Sequence, residues 1–232
     1  MDYFTGKDEW ELMLTGINHI PDDTYLWLQY ATNPYELHMR LFEAGIFETL
    51  CSELSADVFS NKLCTWLISF NTRLFEKEIW DDEWLLVKYS GNYPYVKVPE
   101  DFAEIGDEAF MGHAELREVR LPEGCYGIGE RAFAGCANLV EINLPEKCDW
   151  VGAYSFSECR SLHLNVLPPL LWISEGAFQY CISLQNLEIP VGVTEIGKDA
   201  FRGCTNLVIL CKENSCAHRY AQENGIPYKL QV

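Results

Sequence analysis

The sequence predicts an α+β protein: a short solenoid of stacked coils with a parallel sheet, preceded by a small helical domain. Three observations predict it. Aromatic, aliphatic and glycine columns recur every 22 or 23 residues through the second half. Each repeat holds a two-residue alternation closed by proline, and apolar residues before residue 90 follow three- and four-residue spacing. With 232 residues, 48% of them hydrophobic, the chain can bury a substantial core. Its 35 acidic and 17 basic residues give a net charge of −18, spread over both halves. Such a surface is repelled by phosphate backbones and anionic lipid, so neither nucleic acid nor membrane is expected as a partner. No apolar run reaches the roughly 18 residues of a membrane span. The start, Met1-Asp2-Tyr3-Phe4-Thr5-Gly6-Lys7-Asp8-Glu9, lacks a basic and then apolar leader, which argues for a cytoplasmic home. Truncation at the start would restore an extracellular surface as the alternative.

Residues 1–90 read as the helical domain. Early candidates lie near residues 7–15 and 22–31. Asn33-Pro34-Tyr35-Glu36 is a helix start, with Asn as cap, Pro at the first helical position and Glu at the third; Gly45 would close that helix. Phe59, Leu63, Trp66, Leu67, Phe70 and Leu74 mark a longer amphipathic helix. Trp10, Trp27, Trp66, Trp80 and Trp84 read as core aromatics. The segment from Glu76 to Trp84 is charge-dense and reads as a solvated connection into the repeats; a calcium loop would need ordered alternation with glycine. An open solenoid end exposes apolar core, so the helical domain is expected to cover the first repeat.

Residues 91–232 form the repeat domain, about five repeats long. Its phenylalanines stand at Phe110, Phe133, Phe156, Phe178 and Phe201, each followed six residues later by Leu116, Leu139, Leu162, Leu184 or Leu207. Apolar-Pro pairs keep the same beat from Val98-Pro99 to Ile189-Pro190. Gly106, Gly129, Gly152 and Gly197 precede the phenylalanines by four, with Ser174 standing in once; His113, Cys136, Cys159, Cys181 and Cys204 precede the leucines by three. A unit this short cannot bury its own apolar face, so the units must stack on a shared core. Segments such as Val119-Arg120-Leu121-Pro122 read as one short strand per repeat, stopped by proline. The glycine column suggests a tight turn with an unusual backbone angle. Ala-Phe-x-Gly-Cys reads as a turn or short helical return.

The pattern Ile128-Gly129-x-x-Ala132-Phe133-x-Gly135-Cys136-x-x-Leu139-x-x-Ile142-x-Leu144-Pro145 resembles the BspA-type leucine-rich repeats. Residues 214–232, with Asn214-Ser215, Ala217, Tyr220-Ala221 and Asn224-Gly225-Ile226, resemble that family's C-terminal cap. Read from its residues alone, the cap is a helix starting near Ser215, with Gly225 at the left-handed position after the last turn. The resemblance implies a right-handed parallel solenoid that binds other proteins and carries out no catalysis. Two departures stand out. His113 replaces a cysteine in the first repeat. Repeat three is one residue short and puts Asn165 at the inward position of Val119, Ile142 and Leu187. Either that register holds, or a one-residue slip turns Leu164 and Val166 inward.

Other motifs dissolve into the repeat. Gly127-Ile128-Gly129-Glu130-Arg131-Ala132 matches a loose dinucleotide fingerprint, but the same residues are the Ile-Gly-x-x-Ala-Phe column. No cofactor is expected. Six of the ten cysteines fall in two columns, the second being Cys125 and Cys148, and read as buried reduced thiols. Laddered side chains point in parallel rather than at one another, as a disulfide would require. No metal spacing occurs beyond a weak Cys211-x₄-Cys216. The histidines His19, His38, His113, His163 and His218 suggest no triad. Partner-binding candidates are the outward strand residues Glu118, Arg120, Glu141, Asn143, Leu164, Val166, Asn186 and Glu188. The expected function is a monomeric, non-enzymatic protein–protein interaction module with a basic or neutral partner surface. The alternatives are an activity in residues 1–90 with the repeats as a targeting arm, and a cell-surface adhesin.

Overall fold

A computed structural model describes residues 74–231. The helices expected within residues 1–73, their role as a cap and any activity there lie outside the described residues. From residue 74 onward the chain winds into stacked coils, most of them with two strands. One sheet has seven strands in the order β1 (Phe75–Trp80), β2 (Glu83–Tyr89), β4 (Phe102–Ile105), β6 (Gly127–Ile128), β8 (Trp150–Val151), β9 (Trp172–Ile173) and β11 (Glu195–Ile196). The second face carries β3 (Tyr95–Lys97), β5 (Glu118–Arg120) and β7 (Glu141–Ile142), then β10 (Asn186–Glu188), β12 (Val208–Lys212) and β13 (Tyr228–Gln231). All pairings are parallel except the β1–β2 hairpin.

The expected single strand per coil is therefore half of the arrangement. The second strand comes from the residues before the glycine column. Leu86, Ile105, Ile128, Val151 and Ile173 point inward there in register and are buried. The glycines do not adopt left-handed angles. They are glycine because the neighbouring coil's backbone passes against them: a Cβ on Gly129 would stand 2.6 Å from the Asp107 nitrogen, and one on Gly152 2.7 Å from the Gly129 carbonyl carbon. The left-handed positions fall elsewhere, in two columns per coil. One runs Glu108, Arg131, Tyr154, Gly176 and Asp199; the other runs Gly112, Gly135, Glu158, Tyr180 and Gly203. The return between them is a turn that forms a third ladder. Glu108, Phe110 and Gly112 donate to the carbonyls of Glu130, Ala132 and Ala134 at 2.7–2.8 Å, and later coils repeat the arrangement.

The five phenylalanines form one internal file. Successive rings from Phe110 to Phe201 stack at 4.9–5.4 Å with interplanar angles of 11° or less. Tyr89 stacks on Phe110 at 4.9 Å, and Tyr220 closes the far end edge-on to Phe201 at 6.0 Å. The far end is the expected cap, helix α1 (Cys216–Asn224). Ser215 is its N-cap and accepts from the His218 nitrogen, Gly225 is left-handed at φ 65°, and Tyr220 and Ala221 are buried.

The first end differs from the sequence reading. Residues 75–89, assigned to the helical domain and in part to a solvated connection, form the β1–β2 hairpin, whose second strand pairs with β4. The boundary drawn at residue 90 thus leaves the sheet's first two strands on the wrong side. Asp81 and Asp82 turn the hairpin with left-handed angles. Phe75 buries its ring against Tyr89 and Phe102, so the dense charge hides a single deep anchor. Beside it, His113 replaces cysteine. The cysteines Cys136, Cys159, Cys181 and Cys204 each donate to the preceding coil's Phe carbonyl at 3.0–3.1 Å. Before Phe110 no such Phe exists, and the imidazole sets Nδ1 3.0 Å from the Phe110 carbonyl oxygen while its ring meets Tyr89 at 5.1 Å.

Candidate interaction surface

The outward positions of the second face place the candidate residues as follows. On β5 and β7, Arg120 holds two carboxylates at once: Nε donates to Glu118 at 2.8 Å and an Nη to Glu141 at 2.8 Å. Burial would lower the affinity of that guanidinium for its proton, but Glu118 and Glu141 outweigh it and hold the group above its ordinary value. The cluster is one guanidinium between two carboxylates, a triad of net negative sign. Asn143 is engaged differently. Its Oδ1 accepts from the Leu121 nitrogen at 2.6 Å and its Nδ2 donates to the Leu121 carbonyl at 2.9 Å, so the side chain prolongs the β5 ladder. Its amide is spent on the neighbouring coil.

Repeat three follows neither register outright. The chain bends at Asn165, which is exposed instead of filling the inward slot. Leu164 turns partly inward and packs against the core. Val166 stays outward at 55% exposure and joins the neighbouring coil by a single bridge to Glu188. The physical cause is the amide: an unpartnered Asn in the core would cost about 1–3 kcal/mol, more than a local kink. The break separates β7 from β10, so the face is two three-stranded sheets, with Val166 bridged to β10. The expected apolar centre of Leu164 and Val166 is reduced to one side chain. Asn186 is exposed and Glu188 half-buried on β10.

The other motifs resolve as follows. Gly127 and Gly129 belong to β6 and the tight coil-to-coil approach, and β6 is two residues long with turns after it. The eight described cysteines are free. Burial pushes Cys125 up to about 11 and Cys136, Cys148 and Cys204 up to about 12, and it holds Cys159 and Cys181 well above the ordinary thiol value. Among the described residues no group of acidic, His or Cys side chains could hold a metal ion, and no helix is long and apolar enough to cross a membrane. Sequence reasoning passed over the outer face of the seven-stranded sheet, where Trp150 and Trp172 pair across β8 and β9. The signal was available in two tryptophans 22 residues apart at one repeat position.

Residues 87–210, more than half of the chain, match the family described as "BspA type Leucine rich repeat region", in 6 copies. The leucine-rich repeat protein TpLRR of T. pallidum is 30% identical with a TM-score of 0.57; the match covers 60% of this chain and 69% of that one. A protein of Faecalibacterium prausnitzii A2-165, described as a leucine rich cell surface protein, is 28% identical with a TM-score of 0.55, covering 67% of this chain and 41% of that one. The chain thus spans less than half of the second relative. The pneumococcal vaccine antigen PcpA, at 16% identity and a TM-score of 0.51, shares the fold. No curated protein matches the chain.

Proposed function

The chain belongs to the BspA type leucine-rich repeat family, and on that footing we propose that it is a non-enzymatic module that binds another protein through the face carrying β3, β5, β7, β10 and β12. The observation that supports this most is that the Arg120 triad and Val166 share this face, two coils apart: charged groups on one flank and an exposed apolar side chain nearer the centre. Five strands and the coil at Val166, at about 4.8 Å spacing, give a strip on the order of 25 Å, enough for much of an ordinary interface. The net acidity favours a basic or neutral partner. The F. prausnitzii relative's description as a cell surface protein favours the extracellular setting over the cytoplasmic one expected from the sequence. Deep burial would protect the thiols from oxidation in that setting.

The test compares wild type with Val166→Asp and Arg120→Ala in affinity capture on lysate and surface extract of the source cell. Both side chains are substantially exposed, so stability should change by no more than about 0.5 kcal/mol. A protein captured by wild type and lost from both variants at unchanged melting temperature supports the reading. Capture that survives both substitutions removes it. Protease treatment of intact cells decides the setting: loss of the protein places it at the surface, and survival places it inside.

A further inference from the structure

Between the inward residues of each coil, two positions of the seven-stranded sheet face outward. One column runs Ala103, Tyr126, Asp149, Leu171 and Thr194, and the next runs Glu104, Gly127, Trp150, Trp172 and Glu195. Their centre is apolar. The Trp150 indole lies across Gly127, where a Cβ would fall 2.5 Å from the ring, so the missing side chain makes room for the aromatic plate. Trp172 sits beside it on the next strand at 42% exposure, with Leu171 exposed as well. The rim is acidic. Glu104, half-buried and bonded by the Tyr126 hydroxyl at 3.3 Å, lies towards one end of the sheet and Glu195 towards the other, and Asp149 precedes Trp150 in the adjacent column. Neither column contains a Lys or Arg.

We infer that the outer face of the seven-stranded sheet, separate from the face proposed above, docks an arginine- or lysine-bearing segment of a partner protein, whose cations lie on Trp150 and Trp172 and pair with the acidic rim. Indole faces attract cations through the ring quadrupole, and carboxylates beside them add charge attraction. The molecule already uses this combination once: Lys77 Nζ stands 3.9 Å over the Trp84 ring and 3.2 Å from Asp101. Two other occupants fit the charge less well. A second copy brings a net charge of −18, and residues 1–73 carry 11 acidic against 4 basic residues.

The probe is an acetylated, amidated peptide of five Arg-Gly units, titrated calorimetrically into the full chain, with five Glu-Gly units as comparison. Trp172→Ala should weaken Arg-Gly binding about tenfold, as expected for loss of a partly desolvated cation–π contact. Glu195→Lys should weaken it at least as much, and 0.5 M salt should suppress it. Trp80→Ala, removing an exposed tryptophan of the hairpin, and the Glu118→Gln/Glu141→Gln pair on the other face should bind as wild type does. Failure of the reading proposed for the face carrying β5 and β7 would leave these results unchanged. The inference is overturned if Trp172→Ala binds as tightly as wild type, if the Glu118→Gln/Glu141→Gln pair abolishes binding, if both peptides bind equally, or if sedimentation finds a Trp172-dependent dimer with no affinity for Arg-Gly.

Discussion

Ser155 stands where the other coils carry Ala109, Ala132, Ala177 and Ala200, and its hydroxyl is fully buried without a hydrogen-bond partner. Ser155→Ala should therefore stabilise the protein by about 1 kcal/mol, read as a rise in denaturant midpoint. The thiols make a second case. Their folded-state proton affinities are raised by burial, to about 12 for Cys136, Cys148 and Cys204. The unfolded chain releases those protons first, so this contribution to stability is intact below about pH 9 and is lost as pH rises from about 9 towards 12. At pH 8 a thiol reagent should leave Cys125, Cys136, Cys148, Cys159 and Cys181 unmodified in the native protein and modify them at once in denaturant. Rapid native labelling would contradict their placement. Much at this scale was legible in the sequence, because a column of like residues states its burial. Asn165 was not, since a single polar residue in an apolar column can be satisfied, slipped or bent outward, and only the backbone decides.

The glycines separate two physical demands at the scale of the coil. Gly135 is left-handed at φ 75°, and its nearest neighbours stand 3.8 Å or more from an added Cβ; Gly152 sits within 2.7 Å of another coil's backbone. Asparagine tolerates the left-handed region, so Gly135→Asn should cost less than about 1 kcal/mol. Gly152→Ala has no room and should cost more than about 2 kcal/mol by forcing two coils apart. Chemical denaturation of the two variants checks the ordering, and equal costs would remove the distinction. The reading that gave the glycine column a turn angle saw the right residues and the wrong constraint. Period alone cannot tell a strained angle from a close approach. The same limit hid the second strand of each coil, since two residues are too few to show alternation. It also hid the hairpin, where only Phe75, Leu86 and Tyr89 are buried among charges.

For the molecule as a whole, the stacked coils create two outward faces from one interior. The ring file running from Tyr89 to Tyr220 continues past repeat three, although the second face breaks there. The interior and the seven-stranded sheet therefore carry cooperativity across a gap in the other sheet. The architecture was legible because repetition multiplies a weak local signal; the proposed interaction faces were less so, because outward residues are free to vary. Phe156 is the middle ring, and Phe156→Ala should cost about 3–5 kcal/mol. The decisive measurement is native-state hydrogen exchange on wild type and Phe156→Ala. If the coils share one interior, the amides of Phe110, Phe133, Phe178 and Phe201 lose protection together in the variant, on both sides of the substitution. Loss confined to one side, with residues 74–142 and 166–231 opening independently, would contradict the single continuous core.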